Sequence, residues 1–148
     1  MTSEDTMSLK RQYERLMEYP DANELHDSAA PDVLNRAEVC GIKLPTPLIE
    51  LLSLFDGGEL FVPGTVVYGL IRHGKMKSLT EANSSHYRSL FTLPDTCVIF
   101  AELNYGDFIC IDSKDNSVIQ WDHEKDEQYQ MWSSLEEWLA ETIDAYRG

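Results

Sequence analysis

The feature that most constrains this chain is a punctuated stretch over residues 39–58, where Gly41, Pro45, Pro47, Gly57 and Gly58 break an otherwise apolar run into short pieces. The spacing predicts a helix, a corner and a second helix. Gly41 takes the left-handed conformation that ends the first helix, and Thr46 accepts an orphan N–H of the second. Pro47 opens that second helix at the first position, where a missing N–H costs least. Asp56 stands ahead of the paired glycines and suits a helix end or turn.

On either side the periodicity changes. Leu9, Tyr13, Leu16 and Met17 are spaced for one face of a short helix that must stop near Pro20, and residues 21–30 read mostly as a loop. Pro31 opens a helix carrying Val33, Leu34 and Ala37. Residues 60–62 and 65–71 are rich in β-branched and aromatic side chains around Pro63-Gly64, which predicts two strands. Residues 78–90 are weakly patterned and helical at most.

Three further strands follow over 96–102, 108–112 and 117–122, with an edge strand over 129–132. Their links, Asn104-Tyr105-Gly106-Asp107 and Ser113-Lys114-Asp115-Asn116, are turn-forming and too short for a parallel crossover, so the strands are antiparallel neighbours. Ser134 with Glu137 makes a capping box, and Leu135, Trp138, Leu139, Thr142, Ile143 and Tyr146 trace one face of a closing helix. The expectation is an α+β single domain over 1–148: an antiparallel sheet of five to six strands, with N-terminal helices and a C-terminal helix packed on it. Residues 1–8 form a frayed start.

The order of Val39-Cys40-Gly41-Ile42-Lys43-Leu44-Pro45, an amphipathic helix, a polar residue and two glycines resembles the opening signature of the SUKH superfamily. That group includes yeast cell-wall assembly regulators and many bacterial immunity proteins. Val98-Ile99-Phe100-Ala101-Glu102, Gly106-Asp107, Val118-Ile119-Gln120-Trp121-Asp122-His123 and Ser134-Leu135-Glu136-Glu137-Trp138-Leu139 resemble it in the same order. The resemblance covers about residues 31–143 and rests most on Gly41, Leu44, Pro45, Gly57, Gly58, Gly106, Asp107, Asp112 and Trp121. Asp56 departs from it, because the family usually shows Asn there.

Charge narrows the function further. The chain carries 26 acidic and 12 basic side chains, a formal net charge of −14. Nucleic-acid binders need Lys and Arg to displace counterions from phosphates, and here the basic residues are scattered among carboxylates, so direct nucleic-acid binding is not expected. The same field steers a basic protein partner toward the chain. Three cysteines without a Cys-x-x-Cys pair argue against a disulfide framework, and no run of some 18 apolar residues exists, so no membrane role is expected and the compartment is cytoplasmic.

Candidate chemistry is thin. Gly69-Leu70-Ile71-Arg72-His73-Gly74-Lys75-Met76 follows a strand with phosphate-loop spacing, but Met76 stands where a Ser or Thr hydroxyl must hold Mg²⁺. Asp122-His123-Glu124 has poor metal spacing, because adjacent strand residues face opposite ways and His123 turns away from its neighbours. Asp112, Asp115 and Asn116 lack the glycine and terminal glutamate of a calcium loop. There is no nucleophile elbow, and Cys97 and Cys110 lie within strands. Neither cofactor nor metal is expected.

Binding remains. Trp121, Trp132 and Trp138, with Tyr105 and Tyr129, surround the most acidic segment, and aromatics rimmed by carboxylates suit capture of a Lys- and Arg-rich surface. The expected partner-binding residues are Trp121, Asp122, Glu124, Asp126, Glu127 and Tyr129. The resemblance implies a non-catalytic immunity protein that binds a cognate toxin domain, a basic nuclease being the best fit to the charge. A regulatory scaffold like the yeast members is a second reading; those carry long flanking regions, and little flanks the matched stretch here. An enzyme acting on a small substrate, with Lys75 in its loop, is a third.

Overall fold

A computed structural model describes residues 8–39 and 41–147. The frayed start falls outside the described residues except for Ser8, and Cys40 of the corner motif also falls outside them. Ser8 is well placed: its hydroxyl accepts from the Arg11 N–H at 3.1 Å and caps α1, Leu9–Leu16. Leu9, Gln12 and Leu16 turn inward, and Met17 caps the end instead of extending the buried face.

The corner differs from the sequence expectation. Helix α2 spans Pro31–Arg36 and stops there; the chain then forms a separate two-stranded ribbon, β2 (Glu38–Val39) against β3 (Ile42–Lys43), with Gly41 at φ +75° in its turn. Gly41 is left-handed as expected, but it turns a ribbon and does not end a helix. The physical reason is alternation: an extended path buries Val39 while Glu38 and Lys43, opposite each other, stay in solvent. Helix α3, Thr46–Leu54, takes Thr46 inside it, and its cap position, Pro45, makes no side-chain hydrogen bond, so Thr46 is not the cap.

Seven strands form the main sheet, in the order β1-β4-β5-β6-β7-β8-β9, all antiparallel: β1 Glu24–Leu25, β4 Gly58–Leu60, β5 Thr65–Val67, β6 Cys97–Glu102, β7 Phe108–Asp112, β8 Val118–Asp122 and β9 Glu127–Trp132. The sheet is therefore larger than the expected five to six strands. The extra strand is β1, two residues inside the stretch read as a loop, too short to show any alternation. The paired glycines admit it: a Cβ on Gly58 would lie 2.2 Å from the Glu24 carbonyl oxygen, and one on Gly57 would lie 2.5 Å from both the Gly69 nitrogen and the Val67 oxygen. Only glycine lets these three backbones meet.

Residues 78–90 form two short helices, α4 (Leu79–Ala82) and α5 (Ser85–Arg88), and the chain closes with α6, Leu135–Arg147. Ser134 caps α6 through the Glu137 N–H at 3.1 Å, while the Glu137 carboxylate takes the Ser133 hydroxyl, so half of the expected capping box forms. Trp138 of α6 meets Phe100 edge-to-face with centroids 5.2 Å apart, and lines a groove with Ile109 and Gln120. Phe108, one residue from Ile109 and hence on the opposite face, packs edge-to-face on Phe91. So α6 covers one face of the sheet and the 79–95 segment covers part of the other. Helix α1 packs on α6 and α3, tied to α6 by an Arg15–Asp144 ion pair.

Candidate functional site

Two surfaces carry the chain's unusual chemistry, and the first is the acidic turn from β8 into β9. Trp121 is buried, and its Nε1–H donates to Asp126 Oδ1 at 3.0 Å. Asp126 sits at φ +55° and also accepts from the Thr92 N–H at 2.9 Å; that backbone bond first, then Trp121, holds its carboxyl below the usual range. Asp122 Oδ1 accepts from the Glu124 and Lys125 N–H groups at 2.9 and 3.0 Å, folding the turn. Trp121, Asp122 and Asp126 are thus engaged within the protein. Glu124, Glu127 and Tyr129 instead project into solvent, and Tyr129 is 66 % exposed.

Strand β9 continues this surface. Five consecutive residues, Glu127 to Met131, are exposed on both faces of the strand, and the sheet order leaves β9 at the edge. The β8–β9 register slips between Gln120 and Trp121, leaving Tyr129 as the extra residue of a bulge. Beside it, Gln120 donates to the Tyr105 hydroxyl at 3.0 Å and to Asp107 Oδ2 at 2.8 Å, and Gln130 donates to Gln120 Oε1 at 2.9 Å. These bonds seat the exposed Tyr105 ring on the rim of the same surface.

The ligand atoms of Asp107, Asp122 and His123 lie within 4.8 Å of one another, contrary to the expectation that His123 turns away, because the chain leaves the strand at Asp122 and bends back. His123 Nδ1 lies 2.6 Å from Asp107 Oδ1, and a Cβ on Gly106 would strike the His123 ring at 2.8 Å. The cluster is a hydrogen-bonded pair that fixes the Gly106 turn, with the Asp107 carboxylate already committed to His123 and Gln120.

The second surface is a cleft of about 550 Å³ on the sheet face away from α6. The strand register puts Glu24, Glu59, Val66 and Glu102 in one row across β1, β4, β5 and β6, and this row floors the cleft. Tyr68 donates to Glu102 Oε1 at 2.5 Å; burial, then this carboxylate, pushes its phenol well above the usual range. The other wall is the Gly69-to-Lys75 loop and the residues after it, with His73, Lys75, Met76 and Lys77 facing the row.

Asp56 stands where a phosphate loop would place its anion for two of the loop's amides: its carboxylate accepts from the Leu70 N–H at 2.7 Å, the Ile71 N–H at 3.2 Å and His73 Nε2 at 2.9 Å. Asp56 is 1 % exposed. His73 stacks on His26 with centroids 4.0 Å apart and planes 11° apart. Reading the sequence singled out both Asp56 and the loop but did not join them. The signal was there: a carboxylate beside two glycines that force close approach of this loop.

Cys97 and Cys110 are buried. Burial, with Asp112 nearby, pushes the Cys97 thiol up to about 12, and burial raises Cys110 as well, so neither is a ready thiolate nucleophile. Among the described residues no helix is long and apolar enough to cross a membrane.

The ribbon corner, the glycine pair and the Gly106-Asp107 turn all lie within the residues of a family match. The model of the SMI1 / KNR4 family (SUKH-1) matches residues 31–141, and the chain belongs to that family. The match starts where α2 starts and ends within α6, so α1 and β1 lie ahead of it. Comparison with curated proteins gives no match.

Proposed function

We propose that the chain is a non-catalytic, protein-binding SUKH domain acting as an immunity protein: it binds a cognate toxin domain with a basic surface, a nuclease being the best fit, and covers the toxin's groove. Membership in the SMI1 / KNR4 family supports the non-catalytic domain. The observation that carries the binding surface is β9 itself, an ordered edge strand whose Glu127-to-Met131 stretch is exposed in a chain of net charge −14. A strand so little buried contributes few core contacts to its own fold and leaves Tyr129 and Met131 open to a partner.

The contact surface consists of Glu124, Glu127 and Tyr129, extended by Tyr105 and Met131. Trp121, Asp122 and Asp126 shape it from beneath. Carboxylates at the rim raise the association rate with a cationic partner, while the tyrosines supply rigid contact area at low entropic cost. The direct experiment co-expresses the chain with the toxin domain encoded beside its gene. Growth should be restored by the wild-type chain and lost with a Glu124→Gln, Glu127→Gln, Tyr129→Ala triple variant; protection by that variant would remove this surface from the reading, and no protection by the wild type would remove the immunity role.

A further inference from the structure

The loop after β5 is fastened across the cleft chiefly through side chains. Asp56 holds the amides of Leu70 and Ile71 and the His73 ring, the His73 ring lies flat on His26, and Arg72 reaches Glu81 at 3.0 Å. The last is an exposed ion pair and holds little. His26 is itself fixed in place, its N–H donating to the Gly57 carbonyl at 3.0 Å and its carbonyl accepting from Asp56 N–H at 3.1 Å. The stack therefore joins the end of the β1 segment to a loop that is held as well by the buried Asp56 carboxylate, by Leu70 and Met76 against the core, and by Lys77 over the Tyr87 ring at 4.6 Å.

We infer that residues 70–77 form an acid-released strap over the glutamate-lined cleft, with the stacked His26 and His73 rings as its trigger. At neutral pH an uncharged His26 ring lies against a His73 ring that donates its Nε2–H to Asp56. When His26 takes a proton, its charged ring is held away from water against the flat His73 ring 4.0 Å away, so an open strap that lets the ring reach solvent is favoured over the closed one. Release carries Lys75, Met76 and Lys77 away from the Glu24, Glu59 and Glu102 row and widens the mouth of that acidic cleft.

The groups facing His26 pull in both directions. Burial first, then His73 on the strap, oppose the charged ring, whereas Asp56 from the α3–β4 junction, Glu24 of β1 and Asp27 next in the chain favour it; the opposing pair wins and holds His26 below its ordinary value of 6.5. A depressed histidine stabilises the closed form at high pH, and this stabilisation is lost as pH falls below 6.5 toward the folded-state value. Release therefore belongs to mildly acidic conditions. This device does not depend on the immunity reading and stands or falls without a partner.

The test is hydrogen exchange on the whole chain, read as protection factors of the Leu70 and Ile71 amides between about pH 7.5 and about pH 5, the range in which imidazoles charge. Protection at both amides should fall at least about tenfold while the Ile109 and Cys110 amides of β7 hold. His26→Phe keeps an aromatic ring without the titration, and should make the Leu70 and Ile71 protection flat over that range. Flat protection in the wild type, or an undiminished fall in His26→Phe, overturns the strap. Should that variant lose β7 protection as well, the wild-type protein decides: the His26 ring titration followed by NMR must share its midpoint with the loss of Leu70 protection, and two separate midpoints overturn the inference.

Discussion

Asp107 and His123 are joined twice, the carboxylate Oδ1 lying 2.6 Å from Nδ1 of the ring and 3.2 Å from the backbone N–H of the same residue. The pair closes the β6–β7 turn against the β8–β9 turn, and each partner shifts the other. The hydrogen bond to Asp107 raises His123 above 6.5. Burial alone would raise Asp107, but the bonds from His123 and Gln120 outweigh it and leave the carboxyl below 3.8.

From this follows a defined pH window. The raised histidine contributes stability that is complete below 6.5 and fades as pH rises through its folded value; the depressed aspartate contributes above 3.8 and fades as pH falls through its own. Both contributions are complete between those limits. Asp107→Asn should bring the His123 titration, followed by NMR, back toward 6.5 and lower stability by about 1–3 kcal/mol in urea melts at mildly acidic pH, since a buried acceptor site is lost. An unmoved His123 titration would contradict the pairing.

Asn83 extends the sheet with a side chain. Its Nδ2 donates to the Ile99 carbonyl at 2.7 Å and its Oδ1 accepts the Ile99 N–H at 2.8 Å, repeating the backbone pairing that β5 would make had it run further. Asn83→Leu keeps the volume but strands both backbone groups in a buried position, and should cost about 2–4 kcal/mol by chemical denaturation. A loss below about 0.5 kcal/mol would show that β6 does not need this pairing.

Trp138 is the most deeply buried of the three core tryptophans, 2 % exposed and edge-on to Phe100. Trp138→Ala should cost about 3–5 kcal/mol, because its neighbours on a continuous sheet cannot collapse into the space. Equilibrium unfolding measures it directly, and Tyr129→Ala on the edge strand should change stability by no more than about 0.5 kcal/mol in the same assay. The contrast matters, since a partner-binding tyrosine must be dispensable for folding.

Asp56→Asn tests the carboxylate that fills the loop. The amide oxygen can keep the Leu70 N–H bond, but the amide nitrogen then faces the Ile71 N–H, so stability should fall by about 1–3 kcal/mol and Ile71 protection should fall more than Leu70 protection. Equal loss at both amides would mean that Asp56 does not bridge them as described.

Much of this architecture was legible because its signals were local. The strands over 96–122 alternate or run apolar between Asn, Gly and Asp turns, and the closing helix repeats at helical spacing, so residue types fixed both. The elements that escaped are those decided by distant contacts. Strand β1 exists because Gly58 admits Glu24, and the β2–β3 ribbon exists because Val39 must be buried beside exposed Glu38. The candidate surface divides on the same ground. Trp121 and Asp126 carry the residue types of an interface but are bonded to each other, which sequence cannot show, whereas Glu127 and Tyr129 belong to a strand that no neighbour covers among the described residues. The Asp56–His73–His26 chain was hidden because its three members are brought together from 30 and 17 positions apart in the fold of the glycine pair.

We propose that an acidic, tyrosine-bearing edge strand binds a basic toxin domain. Calorimetric titration of the chain against the purified toxin domain encoded beside its gene, at low and at high salt, tests it most directly. The expected result is tight binding that weakens as salt screens the carboxylates and falls at least about tenfold when Glu124, Glu127 and Tyr129 are replaced together. Binding that ignores both salt and the triple replacement, or no binding at all, would contradict the account.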